Sequence, residues 1–161
     1  MAKVKTNTIM SAVAFLNYAR QYNAAAVALF DSNPQLSDPI NSLYFHTVEL
    51  ALKAYLRMHG RNPWGHDIEN LFNECCTLGL KISSDNQSGL WSIVSLLAGG
   101  NEDMAFRYFS LKGGGAPDLK WTREAVGQLV QAVAAFVEPN GPTPPGPPVK
   151  IRFVVGKPRP A

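Results

Sequence analysis

His46, Glu49, Lys53 and Arg57 follow one another at intervals of three, four and four residues, which on a helix places all four along one face. Their neighbours from Leu43 to Leu56 are largely apolar. Two chemistries fit the stripe. In the simpler, Glu49 and Lys53 form an i, i+4 ion pair worth roughly 0.2–0.5 kcal/mol when exposed, with the histidine satisfied beside it. In the other, the stripe lines a groove between helices, Lys53 and Arg57 receive a phosphate, and His46 or Glu49 handles a proton. The simpler chemistry is the expectation, because structural ion pairs gather titratable groups as readily as functional ones do.

A second constellation lies just downstream, in Arg61-Asn62-Pro63-Trp64-Gly65-His66. It begins with an arginine, Arg61, and ends with a histidine, His66. Pro63 and Gly65 stand between the two residues and spoil a helical presentation of them on one face. Further on, Arg107 and Tyr108 could flank a phosphate and a base, or serve the bundle as a carbonyl-bonding arginine and a packed ring. Gly113-Gly114-Gly115 lacks the lysine and Ser/Thr of a phosphate loop and reads as a turn. Cys75 and Cys76 are adjacent, so neither a disulfide staple nor a zinc site is expected; they read as reduced thiols of a cytosolic protein. No cofactor or metal is expected.

These residues must be positioned by helices. A first helix is predicted after Thr6-Asn7-Thr8, with Ile9, Val13, Leu16, Ala24 and Val27 inward and an end near Pro34. The second is predicted from Asp38 as cap and Pro39 as first residue to Met58, before Gly60. A third opens near His66-Asp67 and closes near Gly79; a fourth follows Ser83-Ser84-Asp85 and stops at Gly99-Gly100. The last is capped by Asp118, buries Trp121, Val126, Leu129, Val130, Val133, Phe136 and Val137, and is stopped by Pro139. Trp64, Trp91 and Trp121 are read as two core anchors and one loop lid. No run before residue 149 alternates with period two, so the expectation is all-α, about five helices with antiparallel neighbours.

The 161 residues have room for one domain. A net charge of +3 and a pI near 9.0 hint at an anionic partner, but the charge is unevenly placed. Residues 1–138 carry about −1 and residues 139–161 carry +4, from Lys150, Arg152, Lys157 and Arg159. Eight of the twelve prolines also lie after residue 138, so helix cannot persist there. The domain is therefore 1–138, and 139–161 is a Pro-rich basic extension whose run Val149–Val155 has strand-like composition. That run could be unstructured, fold back on the bundle, or dock on another subunit. Neither a signal peptide nor a membrane span is supported, and a cytoplasmic location is expected.

The order His46-x-x-Glu49-Leu50-x-x-Lys53-Ala54-x-Leu56, a loop, then Gly65-His66-Asp67-Ile68-x-x-Leu71 resembles the HEPN domain, a family of bundles of about five helices. Phe106-Arg107-Tyr108 resembles the Arg-Tyr element that many of these domains carry before the last helix. The resemblance runs from about residue 7 to 138. It implies one of two activities. Many HEPN domains resemble toxin ribonucleases of defence and toxin–antitoxin systems, working as dimers through an Arg-x(4–6)-His motif, whose letters Arg61 and His66 satisfy; in that chemistry the arginine would stabilise charge on the phosphate and the histidine would assist attack by the 2′-hydroxyl without metal. Relatives with Gly-His-Asp in this loop resemble nucleotide- or partner-binding domains without that motif, and there the histidine orders the start of helix three.

The leading expectation is thus a binding or regulatory module that forms a homodimer and binds a nucleotide, RNA, or a partner such as a nucleotidyltransferase or antitoxin. His46, Glu49, Lys53, Arg57, Arg107 and Tyr108 are its candidate contacts. The alternative is a metal-independent endoribonuclease using Arg61 and His66 as catalytic residues. A third option is a scaffold whose only active surface is the extension.

Overall fold

α2, residues Ser37–Met58, is buried along most of its stretch from Tyr44 through Leu56, with only His46 and Leu50 half-buried there, and so must be surrounded by other elements. A computed structural model describes residues 10–82, 87–102 and 117–140, and in it α2 packs against all four other helices. These are α1 (Ala12–Ser32), α3 (Ile68–Thr77), α4 (Gln87–Glu102) and α5 (Leu119–Asn140). The described chain is all helical, as the sequence predicts. The Thr6–Thr8 cluster, Ser83–Asp85, Phe106–Tyr108, Gly113–Gly115 and residues 141–161 lie outside the described residues.

α1 is capped by Ser11, whose Oγ accepts from the Ala14 amide at 3.1 Å. Its buried residues are Ala12, Leu16, Ala19 and Ala26, while Ala24, predicted inward, is exposed. Small residues on this stripe let α2 lie close. The short turn at Asn33–Leu36 makes the pair an antiparallel hairpin, and the rings of Tyr22 and His46 meet at 5.2 Å. α2 begins at Ser37, not after Asp38: Leu36 occupies the cap without a side-chain bond. Asp38 instead sits in the first turn, where its carboxylate complements the exposed amides. At the other end Gly60, with φ 70°, lets the Arg61 amide reach back to the Leu56 carbonyl at 3.0 Å and close the helix.

α3 starts where predicted, because Asp67 Oδ1 accepts from the Asn70 amide at 3.0 Å. Asp67→Ala should cost about 1 kcal/mol of unfolding free energy, measured by urea titration, since it strips the cap from a ten-residue helix. The helix crosses α2: Cys75 Sγ lies 3.6 Å from the Leu52 carbonyl, and the Tyr55 hydroxyl donates to the Leu78 carbonyl at 3.3 Å. Burial pushes the Cys75 thiol well above the ordinary range, with Cys76 and Glu74 adding to the rise, and burial also raises Cys76. Neither cysteine is in a disulfide.

α4 does not stop at Gly99-Gly100 but runs through them to Glu102. Two helical glycines cost about 1 kcal/mol each relative to alanine, and the burial of Leu90, Ile93, Val94 and Leu97 outweighs that. α5 likewise continues one residue past Pro139, to Asn140, whose side-chain amide donates to the Phe136 carbonyl at 2.7 Å. Its start is as predicted, with Asp118 Oδ1 accepting from the Trp121 amide at 2.9 Å.

α5 runs antiparallel to α1, clamped by Arg20–Glu138 at 2.5 Å and Arg123–Asp31 at 2.7 Å. The Arg20 guanidinium holds the Glu138 carboxyl below its usual range, so the pair's contribution is present at neutral pH and fades as pH falls through that lowered value. Near the carboxyl ends of α2 and α5, His59 stacks on Phe136 at 5.0 Å, with Tyr55 4.8 Å from both rings. None of the three tryptophans is a core anchor. Trp64, Trp91 and Trp121 are 78%, 37% and 40% exposed. Trp91 stacks on Phe72 at 5.8 Å, and Trp121 lies over Gly89, where a Cβ would stand 3.2 Å from the indole. Both rings thus cover crevices between helices from outside. Phe136, predicted inward, is half-buried.

Candidate functional site

Glu49 is carried on the buried stretch of α2 and keeps only 5% of its side chain exposed. An ionised carboxylate in that position needs partners. One turn on, Lys53 supplies an ammonium 2.5 Å from Oε1, and Lys53 is itself buried. The pair therefore belongs to the interior and is not the exposed i, i+4 pair weighed from the sequence. A third group comes from the loop after α2. Gly65, at φ 81°, turns the chain so that His66 Nδ1 reaches the same Oε1 at 3.0 Å. His46, one turn before Glu49, places Nδ1 3.9 Å from Oε2, beyond hydrogen-bond reach but within the field of the carboxylate.

This cluster floors an open groove of about 240 Å³ between α1, α2 and the loop. The walls are Met10, Tyr18, Tyr22 and Leu50, with His46, Glu49 and His66 below. Tyr18 and Met10 are exposed, and His66 keeps 77% of its side chain in solvent. Among the described residues the groove is lined by two tyrosine rings and two imidazoles and by no guanidinium.

Arg57, the last member of the predicted stripe, turns away from this groove. Its Nη1 donates to the Arg61 carbonyl at 3.1 Å and to Asn62 Oδ1 at 3.0 Å, so it braces the loop that carries His66. Arg61 extends the other way, with Nε 3.6 Å from Glu74 on α3. Arg61 and His66 are thus engaged by different carboxylates, Glu74 and Glu49, across a loop containing Pro63 and Gly65. The structure brings together His46, Glu49, Lys53 and His66, while Arg57 bonds Asn62 and Arg61 pairs with Glu74. Arg107 and Tyr108 lie outside the described residues.

Tyr18, Tyr22, Met10 and Leu50 escaped the sequence reading. The available signal was the tyrosine pair at i, i+4 on α1, which shares a face two residues out of step with Leu16. Among the described residues no group of three His, Cys, Asp or Glu side chains is arranged to hold a metal ion, and no helix is long and apolar enough to cross a membrane.

A family model for the HEPN domain matches residues 12–139, most of the chain and all five helices but for the last residue of α5. The chain belongs to the HEPN domain family. No curated protein and no solved structure matches it.

Proposed function

We propose that this chain is a HEPN binding module that holds the base of a nucleotide or of RNA in the groove of Tyr18, Tyr22, His46, Glu49 and His66, and that it is not a ribonuclease. The observation that carries the reading is the separation of Arg61 and His66 onto Glu74 and Glu49. General acid–base work on an RNA phosphate needs the cation and the imidazole to converge on the reacting group. Here the arginine faces α3 while the imidazole belongs to a groove walled by aromatic rings. Stacking on such rings contributes about 1–3 kcal/mol per base and tolerates any base. Lys53 and Arg57 are spent on Glu49 and on the loop, so phosphate capture by them is not part of the proposal.

In EDTA, RNAs of varied sequence should stay intact with the wild type and equally with Arg61→Ala and His66→Ala, read on denaturing gels. Cleavage by the wild type that His66→Ala abolishes would establish the ribonuclease instead.

Association with itself or with a partner protein is a second reading, favoured by Trp64, a large apolar ring at 78% exposure on the loop. A homodimer through this ring, or docking of a nucleotidyltransferase or antitoxin on it, predicts that Trp64→Ser lowers the mass seen by light scattering or loses the partner. An unchanged mass and retained partner would remove this reading.

A further inference from the structure

We infer that Glu49 is a positioning residue that fixes the tautomer of His66, so that the groove selects a ring carrying an amino group over one carrying a carbonyl at the same place. The inference rests on the nucleobase reading above and adds which bases are held. Glu49 receives the Lys53 ammonium on Oε1, and an ionised carboxylate can only accept hydrogen bonds. His66 meets that same oxygen through Nδ1 at 3.0 Å. A neutral imidazole has one N–H, and here it must sit on Nδ1. Nε2 is then a lone-pair acceptor. With Nδ1 on the buried carboxylate, Nε2 is the ring's remaining polar atom, on a side chain that is 77% exposed and lines the groove.

The consequence for a ligand follows from donor and acceptor matching. A base stacked against Tyr18 and Tyr22 that turns its edge to His66 must present a donor there. Adenine and cytosine do so with an exocyclic amino group; hypoxanthine and uracil put a carbonyl oxygen at that position, leaving two lone pairs opposed, and can offer their ring N–H to His66 only by shifting along the groove. A site built to hydrogen-bond one group rejects the analogue that lacks it. Tyrosine hydroxyls rotate to suit either edge and cannot discriminate in this way. The selection is assigned to His66 because its Nδ1 lies within hydrogen-bond distance of Glu49 Oε1.

The test compares adenosine with inosine monophosphate and cytidine with uridine monophosphate on the full chain by calorimetry at pH 8. Within each pair the sugar and phosphate are identical. The amino-bearing member should bind at least about ten-fold more tightly, and His66→Ala should bring the ratio close to one. Nitrogen-15 NMR of the wild type should show the proton of His66 on Nδ1, a signature independent of any ligand. Equal binding within each pair, tighter binding of the carbonyl members, or a proton on Nε2 overturns the inference while leaving the nucleobase reading in place. Binding of none of the four nucleotides removes that reading, and the inference with it.

Discussion

Lys53→Met should lower the unfolding free energy by about 3 kcal/mol in urea titrations at neutral pH. Removing one member of a buried ion pair costs about 3–5 kcal/mol because the other charge is left uncompensated. Glu49 is almost fully buried, and after the substitution it keeps His66 as its hydrogen-bonded neighbour, which places the effect at the lower end of that range. The double variant Glu49→Leu with Lys53→Met should recover most of the loss, since buried pairs replaced together by apolar side chains are often neutral. A single variant as stable as the wild type would mean that the pair is solvated in solution. The stripe would then return to the surface-pair chemistry that its spacing first allowed.

Leu52→Ala should have a comparable effect, about 3 kcal/mol in the same experiment. Leu52 is fully buried in the C-terminal half of α2, the helix that touches every other. Truncation there removes buried methyl groups and leaves a cavity inside the core; leucine-to-alanine changes of this kind cost about 2–5 kcal/mol. Leu36→Ala provides the contrast. That side chain is 40% exposed at the turn before α2, and its loss should fall within about 0.5 kcal/mol of the wild type. Similar values for the two leucines would contradict the central position of α2.

The parts of the fold that were legible in the sequence are those set by local chemistry. Asp67 and Asp118 announce α3 and α5 because a carboxylate at that position satisfies free amides wherever the helix goes. Asp38 misled by two places, since a carboxylate is also favourable inside the first turn. Gly99-Gly100 misled because packing of Leu97 and its neighbours overrides a modest propensity cost. The tryptophans misled for a geometric reason: a helical interval says which face a ring is on, but not whether it enters the core or lies over a crevice, as Trp121 does over Gly89.

The site was legible to the same degree. Spacing alone aligned His46, Glu49 and Lys53 correctly. It could not tell that Glu49 and Lys53 are buried, because a helix covered by four others has little polar surface against which to measure. Nor could it supply Tyr18 and Tyr22, which reach the groove only through the packing of α1 on α2. The opposed fates of Arg61 and His66 were foreshadowed by Pro63 and Gly65 between them, and the positive φ of Gly65 is where the loop turns His66 toward Glu49.

Titration of the isotopically labelled chain with adenosine monophosphate, followed by NMR, tests the central claim most directly. The account predicts saturable shifts centred on Tyr18, Tyr22, His46, Leu50 and His66, with the Arg61 and Glu74 signals nearly still. Shifts centred on Arg61 and Glu74, or no shifts at all, would contradict it.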